Sequence, residues 1–347
     1  MNKRIVALDG LRGFACLVVV VAHYFGETQH HLPCLALGWA GVELFFCLSG
    51  FLIGGILLDN RESPSYFRTF YLRRALRIFP IYYVCITLVL LIHPDRLAIF
   101  YYTYTGNIAM VASGFGSEWL KPTWTLCVEE QFYMLLPLLL YVVPARWLVR
   151  VIVTLIVLPM VLRHHGVGPI LLTDRMDALL MGVLAAYAIR NPAWSKWLTC
   201  NNRRALKALT LVAIALIPLA ISLDVFDIFG WTATAGAFTG LILLIVDGSQ
   251  EAARFRSPVL CWFGTISYCL YLIHQPIAGI LHGLILGSHP DLETLAQAGV
   301  SVLAIAVSVG IAALSWYLFE RPLLRYGQRF TYGNALTSTL GSRTITA

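Results

Sequence analysis

Long apolar runs, separated by short charged or Gly/Pro-containing breaks, recur from one end of this 347-residue chain to the other. A helix rises 1.5 Å per residue, so about 20 apolar residues cross the roughly 30 Å hydrocarbon core of a bilayer. Runs near that length fall at 9–27, 39–58, 78–93, 123–143, 148–163, 175–190, 206–223, 230–247, 259–281 and 296–318. The pattern predicts an all-α polytopic membrane bundle of about ten transmembrane helices. Segment 97–114 is tyrosine-rich and interrupted by Gly106 and Asn107, which leaves its crossing open.

Charge bias orients the bundle. With 97–114 kept out of the count, one face collects Arg61, Arg68, Arg73, Arg74, Arg77, Arg146, Arg150, Arg190, Lys196, Arg203, Arg204, Lys207, Arg254, Arg256 and the tail arginines. The other face keeps Arg96, Lys121, Arg163 and Arg175. The positive-inside rule then predicts ten spans with both termini cytoplasmic and 94–122 an external, partly re-entrant loop. The expected organisation is one transmembrane domain over 1–330 and a disordered cytoplasmic tail over 331–347. The first run lacks a small-residue cleavage site and reads as a retained span. No internal repeat is visible, which weakens a transporter built on duplicated halves.

Composition agrees: 59% of residues are hydrophobic and 12% charged, with a mean hydropathy of +0.75. Soluble domains carry about 25% charged residues. The net charge of +7 lies in short loops between spans, so membrane orientation accounts for it and nucleic acid is not an expected partner. Eight cysteines are scattered without metal-ligand spacing; they read as small apolar fillers, and no metal site is predicted.

Against this apolar background the buried polar residues stand out. Arg12 and His23 are eleven residues apart in the first span. At about 100° per residue they share a face, roughly 16 Å apart along the axis. An ionisable group in hydrocarbon costs about 2.5–3.5 kcal/mol on the insertion scale, so such a pair points to a polar cavity. In the ten-span topology His23, Glu129, Asp177 and His274 fall at similar depth toward the outer side and must face inward. Glu129 and Glu130 point about 100° apart, so one of them looks squarely into the cavity, and Glu129 is favoured. A purely structural reading, in which these groups only bond helices together, is the competing one.

Two further signals concern binding. Arg68, Arg73, Arg74 and Arg77 gather after the second span, with Arg74 and Arg77 at i,i+3 on one helical face. Paired guanidinium groups suit a phosphate, or more simply the headgroups of anionic membrane lipids. Ser49 and Gly50 interrupt an aromatic span, allowing close helix contact or a groove for a thin ligand. Tyr271 and His274 share a face ahead of Pro276, a potential kink.

In order along the chain, these pieces resemble the membrane-bound acyltransferase-3 family of bacterial O-acyltransferases. The resemblance rests on Leu8-Asp9-Gly10-Leu11-Arg12 with His23, Phe45-Phe46 through Ser49-Gly50-Phe51, Arg73-Arg74-Ala75-Leu76-Arg77, Trp124-Thr125 through Glu129-Glu130-Gln131-Phe132-Tyr133, Arg175-Met176-Asp177, Ser267-Tyr268 through Tyr271 to His274-Gln275-Pro276, and Glu320-Arg321-Pro322. It implies a multi-pass enzyme of the bacterial cytoplasmic membrane that moves an acyl group, most often acetyl, from cytoplasmic acyl-CoA to a hydroxyl of a sugar, glycan or lipid-linked acceptor. Acyl-CoA is a co-substrate, with no permanently bound cofactor. By the same resemblance Arg12 and His23 belong to the catalytic centre, Glu129 and Trp124 to its outer wall, and Arg74 and Arg77 to recognition of the CoA phosphates; the expected catalytic set is thus His23, Arg12 and Glu129, and the expected acyl-CoA-binding set Arg73, Arg74, Arg77 and Ser49. Asp9, Trp124, Asp177, Tyr271 and His274 then form the substrate-proximal or supporting set. Position 125 is Thr where the family often has Ser, and no esterase-like domain is expected after the last span, so transfer would be completed by this chain alone or with a separate partner.

His23 is expected to act as general base or as transient acyl carrier, with Glu129 or Asp177 fixing its tautomer. This reading requires one continuous polar passage from the arginines to His23, with acceptor selection by loops 28–38, 94–122 and 282–294. A proton-coupled transporter would also place His, Glu and Asp at one depth, but it leaves the arginine pair without a task; a scaffold would tolerate loss of His23 and Glu129.

Overall fold

The computed structural model describes residues 5–27, 38–166, 170–200, 202–223, 225–246 and 250–333. Every described regular element is helical. Among the described residues nine helices are long and apolar enough to cross a membrane. They include α1 (Val6–Phe25), α2 (Gly38–Asp59), α3 (Tyr66–Ile92), α6 (Thr123–Val142), α7 (Ala145–His164), α10 (Arg203–Ser222) and α13 (Pro258–Leu286). Helix α11 (Trp231–Val246) and helix α14 (Leu295–Ser315) reach spanning length with the π-type turns Phe226–Gly230 and Trp316–Glu320, the latter leading into α15 (Arg321–Gly327). The predicted run 175–190 corresponds to α8 (Leu172–Ala188), 17 residues carrying Asp174, Arg175 and Asp177.

Segment 97–114 forms two short helices, α4 (Ala98–Tyr102) and α5 (Gly106–Ser113). At 1.5 Å per residue neither can cross hydrocarbon. Between them Tyr104 takes a left-handed φ of 54°. Its ring stacks on Tyr82 with centroids 4.2 Å apart, and its carbonyl accepts from Gln131 Nε2 at 2.9 Å. The loop is stapled further by Asp95, which accepts from the Leu97 amide at 2.8 Å, from the Tyr101 hydroxyl at 3.0 Å and from the Ser117 amide.

The arginine-rich stretch after α2 is not a loop. Helix α3 begins at Tyr66, so Arg68 to Arg77 occupy its first turns. Its 27 residues amount to roughly 40 Å, more than one hydrocarbon thickness.

Small residues let the helices around the site approach closely. Helix α1 packs on α13 and α2, and α2 packs on α8. A Cβ at Gly264 of α13 would lie 2.0 Å from the Asp9 carbonyl oxygen of α1, and one at Gly50 of α2 would lie 1.8 Å from that of Leu179 in α8. The Ser49-Gly50 interruption is therefore a backbone contact at Gly50, as in other membrane helix pairs. Beyond α15 the chain does not leave the body at once, because residues 330–333 lie against the start of α3. The remaining tail, 334–347, and most of loop 28–38 lie outside the described residues.

Candidate active site

Two cavities of about 370 Å³ each lie one beyond the other along α1. Val42 and Tyr271 line both and form their common wall. The passage expected from the sequence takes the form of two adjoining chambers, with Val42 and Tyr271 as the septum they share.

The arginine chamber brings together Arg12, Arg73, Arg74 and Arg77 with the carboxylates Asp9, Glu129 and Glu130. Four guanidinium groups against three carboxylates make an anion-receptive pocket. Asp9 lies 4.0 Å from Arg12 one turn away on α1. Ser49 donates to Glu129 Oε1. Arg74 lies over the Tyr133 ring at 3.8 Å and 3.8 Å from Glu130 Oε1. Arg73 is differently engaged: its Nε donates to the Phe330 carbonyl at 2.7 Å and its guanidinium lies 5.4 Å from the centre of the Tyr332 ring.

The histidine chamber holds His23, Trp39, Glu43, Trp119, Lys121, Trp124, Arg175 and Gln275. His23 Nδ1 and His274 Nε2 are 2.7 Å apart. His274 Nδ1 lies 2.7 Å from the Tyr271 carbonyl oxygen and 3.3 Å from that of Leu270. A carbonyl only accepts, so His274 Nδ1 carries a hydrogen; in the neutral ring Nε2 is then the acceptor. His23 must therefore donate from Nδ1, which leaves its Nε2 lone pair available, 3.6 Å from Glu27 Oε2. The rings stack with 10° between their planes, and Tyr24 donates to the His274 carbonyl at 2.7 Å.

This arrangement departs from the sequence reading in three places. Glu129 does not share a chamber with His23. Helix α6 passes the septum between Trp124, which lines the histidine chamber, and Thr125, which lines the other. One residue advances only 1.5 Å, so an assignment to within a turn or two could not choose the side. Asp177 lines neither chamber: it is fully buried, lies 3.0 Å from Arg163 Nη2 and accepts from Thr232 Oγ1 at 2.5 Å. It ties α7, α8 and α11 together. The group that fixes the His23 tautomer is His274, not a carboxylate.

Glu43 is not among the residues expected from the sequence, although as the lone charge inside the second apolar run it meets the same criterion of an ionisable group in hydrocarbon. Glu43 is buried 3.4 Å from Arg175, whose guanidinium lies 3.6 Å from the centre of the Trp231 ring and 5.7 Å from that of Trp124. At the septum Tyr271 and Thr125 join hydroxyls at 2.9 Å, and both also lie within reach of the Pro122 carbonyl, at 3.3 and 2.9 Å. Among the described residues no cluster of His, Cys, Asp or Glu has metal-binding geometry.

An all-helical membrane bundle with an arginine-lined chamber backed by a histidine pair defines a class of multi-pass membrane protein with buried polar sites. The chain belongs to the acyltransferase-3 family, whose acyltransferase domain matches residues 5–318. Among curated relatives, the O-acetyltransferase OatA of Staphylococcus aureus (strain NCTC 8325 / PS 47) is 27% identical over 367 residues, 92% of this chain and 57% of that protein. The putative peptidoglycan O-acetyltransferase YrhL of Bacillus subtilis (strain 168) is 28% identical, covering 94% of this chain and 56% of its own length. The peptidoglycan O-acetyltransferase OatA of Listeria monocytogenes serovar 1/2a is 26% identical, covering 94% and 57%. The chain thus spans little more than half the length of these relatives. No solved structure matches it.

Proposed function

We propose that this protein is a membrane O-acetyltransferase, drawing acetyl from acyl-CoA held at the arginine chamber and delivering it to a hydroxyl of a glycan in the histidine chamber. The observation that carries the reading is the His23–His274 hydrogen bond, which leaves a basic nitrogen facing a chamber walled by Trp39, Trp119 and Trp124. Aromatic faces beside a few polar groups suit the apolar face and hydroxyl edge of a sugar. The relatives' names make a peptidoglycan sugar the acceptor to test first. The charge bias of the basic loops supports a cytoplasmic arginine end, and the bacterial relatives support a bacterial inner membrane.

In this scheme Arg12, Arg74 and Arg77 bind the phosphates of the donor, and its pantetheine arm runs along α1. Arg12 and His23 are roughly 16 Å apart, a distance an extended arm covers. The arm passes the septum when the Tyr271 side chain swings aside. His23 Nε2 takes the proton of the acceptor hydroxyl as its oxygen attacks the thioester carbonyl. The C–S bond then breaks, and the departing thiolate takes the proton back. His274 accepts from His23 Nδ1–H throughout and holds the ring in the productive tautomer, the part a carboxylate plays in a catalytic triad. Glu129, bonded to Ser49, orients the donor arm and the guanidinium of Arg12.

The test is reconstitution of the full chain in proteoliposomes with labelled acetyl-CoA and peptidoglycan fragments. Acetyl transfer that depends on His23 supports the reading. Solute flux without acetyl-CoA and without transfer replaces it with a transporter. Label trapped on His23 in the absence of acceptor makes the histidine a carrier rather than a base.

A further inference from the structure

The C-terminal segment that follows α15 contributes a side chain to the arginine chamber. Residues 330–333 are strapped to the start of α3 almost wholly through their backbone. The Phe330 carbonyl accepts from Arg73 Nε at 2.7 Å, and the Thr331 carbonyl accepts from Ser65 Oγ and Thr69 Oγ1, both at 3.1 Å. The Gly333 amide donates to Ser65 Oγ at 3.2 Å, while its carbonyl accepts from Ser63 Oγ at 3.2 Å. Such bonds fix the path of the strap whatever its side chains are. The one strap residue lining the chamber is Tyr332, half-buried beside the Arg73 guanidinium.

We infer that Tyr332 is a donor-binding residue, its ring forming the stacking face for the purine of a nucleotide whose phosphates meet the arginines behind it. The inference rests on the acyl-CoA reading above and adds a residue to it. A flat aromatic face next to guanidinium groups matches the two halves of such a ligand: the base stacks on a ring, and the phosphates take charge-assisted hydrogen bonds. It also gives Arg73 a different task from Arg74 and Arg77. Arg73 holds the strap and braces the ring, and so acts on the ligand through Tyr332.

The experiment measures binding of CoA and of pantetheine, which lacks the nucleotide, to the full chain in nanodiscs, alongside turnover of acetyl-CoA. Tyr332→Ala weakens CoA about tenfold and leaves pantetheine affinity unchanged, while Tyr332→Phe and Tyr332→Trp, which keep a flat ring, bind CoA as the parent does. Equal loss for CoA and pantetheine, or no loss for either, overturns the inference while leaving the acyl-CoA reading intact. Failure of the parent protein both to bind CoA and to turn over acetyl-CoA overturns the two together.

Discussion

His23 Nδ1 lies 2.7 Å from His274 Nε2, and the Tyr271 carbonyl dictates which ring donates. His23→Ala removes the proposed base and is expected to lower acetyl transfer by about 10²–10⁴-fold with the fold intact. His274→Ala leaves the His23 ring free to turn and is expected to lower kcat on the order of 10²-fold with KM for the donor little changed. Steady-state kinetics of the two variants and of the double variant provide the check: the double loss should fall well short of the product of the single ones, because the rings act as a unit.

Arg74 and Arg77 line the chamber at i,i+3 on α3. Arg74→Ala and Arg77→Ala are each expected to raise KM for acetyl-CoA about tenfold, some 1.4 kcal/mol of binding, with a smaller effect on kcat. A rise in KM for the glycan instead would show that the arginines serve the acceptor.

The septum makes a separate claim. Tyr271 and Val42 divide the chambers, and Tyr271→Ala should open a water path between them. Acetyl-CoA is then hydrolysed to acetate and CoA without acceptor, at the expense of transfer. Tyr271→Phe keeps the wall, loses only the hydroxyl's bonds to Thr125 and to the Pro122 carbonyl, and should remain coupled. Free thiol release measured without glycan distinguishes the two variants.

Asp177 is expected to matter for folding rather than chemistry. Asp177→Asn leaves Arg163 buried beside a neutral partner, and breaking a buried pair costs about 3–5 kcal/mol. Thermal unfolding in detergent should fall markedly, whereas kcat per folded molecule should hold. A variant that is fully stable yet inactive would move Asp177 into the reaction.

Asp95 gives the loop 95–117 a pH dependence. Partial burial opposes its ionisation, but the Leu97 and Ser117 amides, the Tyr101 hydroxyl and Arg96 outweigh burial and hold its carboxyl below the ordinary range. Because the folded value is the lower one, the stabilisation is complete above the unfolded value near 3.9 and is lost as pH falls through the folded value. Amide exchange at Ser117 should accelerate, relative to intrinsic rates, only in that acid window. Asp95→Asn should loosen the loop at all pH values, by about 1.5–3 kcal/mol for bonds to a charged acceptor.

The sequence by itself determined the helical bundle, because apolar run length against bilayer thickness leaves few alternatives; nine such runs recur as helices of spanning length and 175–190 as the shorter α8. It also determined that Arg12 and His23 look out from one side of α1, since the helical period is a property of a single segment. Tertiary structure alone decided which polar groups meet. Hydrogen bonds such as His23 to His274 join residues 251 positions apart, across the packed helices α1 and α13. Packing between other elements brought Glu129 to Ser49, Asp177 to Arg163 and Arg73 to Phe330. Depth along one helix can be counted, but rotation and closeness between helices depend on backbone contacts that no single segment encodes.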